Sequence, residues 1–269
     1  MNLQQSRILL RPRKLAETFD LALRWCSSVG GVLYLKLSAV LLLPAALGCY
    51  ALRVFADFDW TQVWLVAIVA AMFLQGPFTV AASRLMFEPV LPARSVLGHF
   101  GKRFWAYLLA WFGTRILQLL GLLTVLGLPW AWGYGAFVHE AVLLEGHTGA
   151  AGFKRAGTFA SGQYSGIVTM GLGLLAAHAV IVIAADQVGF VLLDFTLQLG
   201  RPFESLFEEG GSLTALLGFF IAVPYLVSVR FLQYIDARTR RDGWDLQASF
   251  VGVLVAEQSA REQPGGEVS

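Results

Sequence analysis

The feature that most constrains this chain is a set of apolar runs, each about as long as a bilayer is thick. Four plain runs lie at residues 30–52, 61–84, 164–185 and 211–233. Spanning the hydrocarbon core of a membrane takes about 20 mostly apolar residues. Charged residues make up 14% of the chain, whereas soluble domains carry about 25%. The sequence therefore predicts an all-α, polytopic membrane protein.

The next apolar stretch, residues 104–146, is too long for a single helix. It contains Gly127 and Pro129, and a proline disfavours helical backbone in the residue before it. We therefore predict a tight hairpin of two spans, 104–125 and 129–146. The total becomes six transmembrane helices. The alternative is a five-span arrangement in which part of this region lies on the membrane surface.

Charges in the connections predict how the spans are oriented. Basic residues dominate before the first span, between the second and third, between the fourth and fifth, and after the sixth. The connections between the first and second spans and between the fifth and sixth spans are acidic. They include Asp57, Asp59, Asp194 and Glu204. Because lysine and arginine are retained on the cytoplasmic side, both termini are predicted to be cytoplasmic. An odd number of spans would place one basic end outside.

Short amphipathic stretches precede the three predicted hairpins. They lie within RPRKLAETFDLALRWCSS, PARSVLGHFGKRFW and GAAGFKRAGTFASGQY, where apolar residues recur at helical spacing. We predict three units, each a cytoplasmic interfacial helix followed by a transmembrane hairpin. Such helices suit a bilayer surface with anionic headgroups, and the alternative is that they are plain connectors. Residues 1–247 form one predicted transmembrane domain, and residues 248–269 form a cytoplasmic tail that is partly disordered.

An arginine, Arg115, stands in the middle of the third predicted span. Folding the hairpin about Gly127 brings Glu140 to nearly the same depth, because the two residues are almost equally far from the turn. We predict that Arg115 and Glu140 form an intramembrane pair, with Gln118 and His139 as second partners. Such a pair is a polar staple that fixes helix register, a gate or proton-linked site lining a cavity, or a contact with another protein's span.

The most charged stretch, YIDARTRRDGWDLQ, overlaps the end of the last span and follows it. We predict an ion network on the cytoplasmic rim that docks the tail beneath the bundle. Its predicted members are Tyr234, Asp236, Arg238, Arg241 and Asp242, with Arg230 beside them. The alternative is a solvated flank whose arginines only set the orientation of the last span.

The sequence offers no positive sign of catalysis. We find no nucleophile–base set, phosphate-binding loop or metal-ligand spacing, so no catalytic, cofactor-binding or metal residues are predicted. The net charge of +2 is too small to indicate nucleic acid. The first functional hypothesis is a non-enzymatic protein that organises or assists a membrane partner complex or the bilayer. The second is a transporter or channel for a small or lipid-like solute. The third is a lipid-modifying enzyme using His139, Glu140 and Glu145.

Three stretches resemble a known bacterial group. They are LRPRKLAETFDLALRW, EAVLLEGHTGAAGFKRAGTFASGQY and QYIDARTRRDGWDLQ, of which the last is the most specific. The resemblance is to the YciC-like proteins and the membrane-domain relatives of glycerophosphoryl diester phosphodiesterase, and it extends from about residue 10 to residue 247. Asp242 stands where the group usually has glutamate, and Lys154-Arg155-Ala156 blurs its Arg-Ser element.

This resemblance implies a multi-pass protein of the bacterial cytoplasmic (inner) membrane whose biochemical role is undefined. Phosphodiesterase activity is not expected, because the catalytic domain of that enzyme is a soluble barrel and the loops of this chain are too short to hold one.

Overall fold

The computed structural model describes residues 13–88, 90–124, 127–200 and 202–243, and these fold as helices joined by turns and loops. The predicted tail, residues 248–269, lies outside the described residues. Numbered in chain order, the helices are α1 Leu15–Arg24, α2 Gly31–Phe55, α3 Trp60–Leu85, α4 Ala93–Lys102, α5 Phe104–Leu123, α6 Gly127–Gly135, α7 Val138–Glu140, α8 Ala150–Ala160, α9 Tyr164–Thr196 and α10 Leu213–Asp242.

Five of these helices, α2, α3, α5, α9 and α10, are long and apolar enough to cross a membrane. Within them, backbone N–H and C=O groups are paired along the helix, which is what a segment in lipid requires. The all-helical architecture and the multi-pass character predicted from the apolar runs are therefore seen in the described residues. The side on which each terminus lies stays a prediction.

The fourth predicted span, 129–146, is not one continuous helix. Helix α6 ends at Gly135, a turn follows at Ala136 and Phe137, and α7 continues as a π-helical turn over Ala141–Glu145. Glycines at this point weaken the helix because they gain the most backbone freedom when it unwinds. Six complete spans are therefore not established, and the segment after Gly127 is a broken helix whose backbone groups need partners outside it.

Prolines in the other apolar runs cause smaller irregularities in the helices, or none. Helix α3 passes through Pro77 without interruption, whereas α2 contains a π-helical turn over Ser38–Leu42 just before Pro44. In α10, the turn at Ala222 directly precedes Val223 and Pro224. Proline lacks an N–H group and clashes with the preceding turn, so local irregularities just before it are expected.

Helix α10 forms the centre of the molecule and α9 its edge. In the most apolar window of α10, 72% of the residues are buried, against 17% in α9. Helix α10 contacts α1, α2, α3, α8 and α9. Residues such as Phe220, Phe231 and Tyr234 are fully enclosed by these neighbours. The apolar side chains on the exposed face of α9 are those that a surrounding bilayer would cover.

Helices α1, α4 and α8 occupy the three stretches that the sequence marked as short amphipathic units. Val96 and Phe100 of α4 are buried, and so are Ala156 and Phe159 of α8. Their position at the membrane surface, and the pairing of each with a complete hairpin, stay predictions.

Candidate functional site

A cavity of about 500 Å³ lies between α3, α5, α6, α9 and α10. Most of its wall is apolar, and the side chains involved include Ile68, Trp132, Leu174, Leu175 and Phe219. Two of the lining side chains are solvent-accessible, since Leu175 is 53% exposed and Ile68 is 37% exposed. Both belong to helices apolar enough to span a membrane, so the cavity opens sideways, towards the region where lipid would lie.

One polar group in the cavity is Arg230 of α10, which several helices hold in place. Its Nη1 donates to Gln75 Oε1 of α3 at 2.6 Å, and its Nη2 donates to the carbonyl of Ala136 at 3.0 Å. Its Nη2 also lies 3.0 Å from Oε1 of Glu140, a carboxylate that is only 2% exposed. The break between α6 and α7 frees the Ala136 carbonyl, and the guanidinium supplies the donor that this carbonyl would otherwise lack.

A second arginine lines the same cavity from α5. Nη1 of Arg115 donates to Gln118 Oε1 at 2.6 Å and lies 3.2 Å from the sulfur of Met72. The guanidinium carbon is 5.9 Å from the centre of the Trp111 ring. These partners are all formally neutral. Among the described residues, no carboxylate forms an ion pair with Arg115.

The direct pair of Arg115 and Glu140 predicted from the sequence is therefore wrong. The prediction treated the segment after Gly127 as a straight helix, but its break at Ala136 redirects Glu140 towards α10. There Glu140 meets Arg230, which the sequence had placed near the cytoplasmic rim. Gln118 does contact Arg115, since residues three apart lie on one helix face.

The two histidines near the cavity are engaged differently. His139 is 5% exposed, its ring lies 5.3 Å from that of Tyr107, and its Nε2 finds no hydrogen-bond partner among the described residues. His178 of α9 forms a hydrogen bond of 3.0 Å with the carbonyl of Phe219 and stacks on the ring of that residue. His178 thus joins α9 to α10 across the cavity wall, where the chain turns before Pro224.

A separate cluster of charges lies at the carboxyl end of α10, and we call Glu145, Arg155, Arg238 and Asp242 the rim cluster. Arg155 of α8 lies 2.7 Å from Glu145 and 2.7 Å from Asp242. Arg238 lies 3.5 Å from Glu145 and 3.4 Å from Asp242. Each arginine therefore contacts both carboxylates. The hydroxyl of Tyr234 also donates to Glu145 Oε1 at 2.5 Å.

Other residues of the predicted rim network lie around this cluster. Asp236 pairs with Arg240 at 2.8 Å and accepts a hydrogen bond from the backbone N–H of Arg13 at 2.7 Å. Arg241 is exposed and makes no ion pair with the described residues. Glu145 and Arg155 were missed as rim members because they are about ninety residues from α10 in sequence. Both residues lie in EAVLLEGHTGAAGFKRAGTFASGQY, one of the three stretches that resemble the bacterial group. That stretch was the sequence signal that could have indicated them.

The loop between α9 and α10 carries a further charged contact. Glu204 accepts hydrogen bonds from Arg53 Nη2 at 2.8 Å and from Trp60 Nε1 at 2.7 Å. The Arg53 guanidinium lowers the pKa of the Glu204 carboxyl below its ordinary value of 4.5. This contact ties the long loop to the end of α2 and the start of α3.

Comparisons with protein-family models, with curated proteins and with solved structures find no match for this chain. The resemblance to the YciC-like group therefore stays a prediction, and functional inference rests on the geometry. In the described part of the chain, no three His, Cys, Asp or Glu side chains are grouped so that they could hold a metal ion.

Proposed function

We propose that this protein is a non-enzymatic, multi-pass membrane protein that binds a lipid-like solute in its intramembrane cavity and carries it as a transporter does. This is the second of the hypotheses drawn from the sequence. The observation that carries it is the cavity of about 500 Å³, which has a mainly apolar wall, two arginines and a sideways opening. Binding in the cytoplasmic membrane of a bacterium, with both termini in the cytoplasm, is part of the proposal.

The shape and chemistry of the cavity favour an amphiphile over a small polar solute. Sites for small organic ligands usually measure about 300–1,000 Å³ and combine an apolar wall with a few polar groups. Here Leu174, Leu175 and Ile167 of α9 offer a surface for a hydrocarbon chain, while Gln75 and Arg230 provide polar groups on other helices. A solute that enters through the opening beside Leu175 would come from the bilayer itself.

The first hypothesis, that the protein organises a membrane partner complex or the bilayer, stays a prediction. Its support is the three basic units at α1, α4 and α8, which suit a bilayer surface with anionic headgroups. No contact within the described residues favours a particular partner protein. The cavity gives the transport hypothesis a more specific physical basis.

The test is to obstruct the opening and measure lipid binding. Leu175→Trp places a large ring at the mouth of the cavity, where the native side chain is 53% exposed. Leu172→Trp is the matched control, because Leu172 lies on the same helix, is 59% exposed and does not line the cavity. Native mass spectrometry of the purified protein, titrated with single-chain phospholipids, counts the bound molecules.

We expect one retained lipid per chain in the native protein and in Leu172→Trp, and a loss of about tenfold in affinity in Leu175→Trp, since the ring competes for the same apolar surface. A second assay measures movement of a fluorescent single-chain phospholipid across vesicles containing each protein. Equal lipid binding by all three proteins would rule out the cavity as the binding site.

A further inference from the structure

The cavity contains more positive than negative charge. Arg115 and Arg230 both line it, and Arg230 alone of the two forms an ion pair with the buried Glu140 among the described residues. Among the described residues that line the cavity there is no carboxylate, so Glu140 is the acidic group that we count with the two arginines. Because an arginine stays protonated in proteins, the group carries one formal positive charge in excess.

The excess charge belongs to Arg115. Its Nη1 donates to Gln118 and Met72, and no hydrogen bond from its Nε or Nη2 to the described residues is formed. A guanidinium has five N–H donors arranged as a planar fork that fits the oxygens of a carboxylate or phosphate. Charged groups in the membrane interior are costly and are normally paired or face an aqueous cavity.

We infer that the cavity binds the anionic headgroup of a single-chain amphiphile, a phosphate or carboxylate, close to Arg115 and Arg230, with the acyl chain against Leu174 and Leu175. This inference rests on the proposed function and names the chemical class of the solute. A headgroup with one negative charge neutralises the excess positive charge of the cavity. A zwitterionic headgroup such as phosphocholine brings its own cation and leaves the excess charge in place.

The geometry also assigns different parts to the two arginines. Arg230 already has Gln75, Ala136 and Glu140 as partners, so it is held rigidly before a ligand arrives. Among the described residues, the hydrogen-bond partners of Arg115 are the neutral Gln118 on its own helix and the sulfur of Met72. Arg115 is therefore the group that gains most from an anion, and its replacement alters selectivity more than the fold.

The experiment compares two lipids that differ only in headgroup charge. Full-length protein is titrated with lysophosphatidylglycerol and with lysophosphatidylcholine of the same chain length, and inorganic phosphate is added as a competitor. We expect lysophosphatidylglycerol to bind at least about tenfold more tightly, since hydrogen bonds to charged groups are the stronger ones. Millimolar phosphate should not displace it.

Variants then assign the preference to one side chain. Arg115→Gln should weaken the binding of lysophosphatidylglycerol by about 10- to 100-fold and leave that of lysophosphatidylcholine nearly unchanged. Arg115→Lys keeps the charge and should retain part of the preference. Lys36→Gln is the matched control, because it removes an equal charge from an exposed position of α2 that does not line the cavity.

The outcomes separate this inference from the proposed function. Equal binding of both lysolipids to the native protein, with loss in Leu175→Trp, would leave the proposed function standing and overturn the preference for anions. Displacement by millimolar phosphate would assign the arginines to a soluble anion and overturn the acyl-chain part. Failure of the native protein to bind either lysolipid would overturn both proposals. The comparison of lysolipids needs no variant, so a failure of Arg115→Gln to fold does not prevent a decision.

Discussion

The rim cluster and the cavity present two arginines each, but they differ in how the charges are matched. In the rim cluster, Arg155 and Arg238 face two carboxylates, and every arginine reaches both of them. Of the two arginines that line the cavity, Arg230 pairs with the buried Glu140, whereas Arg115 forms no ion pair with a described carboxylate. A cluster with equal numbers of positive and negative charges is neutral without a ligand. A cluster with an excess positive charge in apolar surroundings is stabilised when it binds an anion.

The largest expected loss of stability comes from breaking the ion pair between Arg230 and Glu140. Glu140→Gln leaves the partly buried Arg230 without its carboxylate, and we expect a loss of about 3–5 kcal/mol in the free energy of unfolding. The double variant Glu140→Gln with Arg230→Met removes both charges and should cost clearly less. Equilibrium unfolding in detergent measures both, and equal losses in the single and double variants would contradict the pairing.

The rim cluster should respond less strongly because it is partly exposed to solvent. Asp242→Asn removes a partner of both Arg155 and Arg238, and we expect a loss of about 1–2 kcal/mol in the free energy of unfolding. The control is Arg24→Gln, whose pairing with Asp20 is exposed and should contribute almost nothing. A loss in the control as large as in Asp242→Asn would show that the cluster has no special role.

Replacing Arg115, which has no carboxylate partner among the described residues, should change the stability of the lipid-free protein only slightly. Arg115→Met deletes a charge that has no carboxylate partner among the described residues, so we expect a change within about 0.5 kcal/mol in the free energy of unfolding, or a gain. The measurement is made without added lipid, by the same unfolding assay. A loss comparable to that of Glu140→Gln would mean that Arg115 has a structural partner of equal value.

The smallest effect concerns the loop contact at Glu204. Because folding lowers the pKa of this carboxyl, the contact contributes stability above the unfolded pKa, and this is lost as the pH falls through the folded pKa. Glu204→Gln should therefore flatten the decline in melting temperature on acidification below pH 4.5, the ordinary pKa of this carboxyl. Trp60→Phe, which retains Arg53, should keep most of the decline. Parallel melting curves of Glu204→Gln and the native protein would exclude this role.

Much of the helical framework was predictable because it depends on local pattern. Apolar runs of spanning length gave α2, α3, α5, α9 and α10, and alternation at helical spacing gave the short helices between them. The contact of Arg115 with Gln118 was also accessible, since it depends only on a spacing of three residues.

The cavity and its true ion pair were not predictable, for a physical reason. Which face of α10 meets α7 depends on packing across the whole bundle, and residues one helical turn apart on α10 join different clusters. Arg230 lies one turn before Tyr234, yet it pairs within the cavity wall while Tyr234 joins Glu145. The break at Ala136 then moved Glu140 away from the position that an ideal helix would give it.

The sideways opening beside Leu175 also determines which measure of concentration governs the cavity. A site that opens into a bilayer has the leaflet as its solvent, so its occupancy follows the mole fraction of an amphiphile among the lipids. An anionic lipid that makes up a few per cent of the membrane is present there at a very high local concentration. Even modest intrinsic affinity would keep the cavity occupied, and changes in membrane composition would act on the protein as directly as a dissolved ligand acts on a soluble receptor.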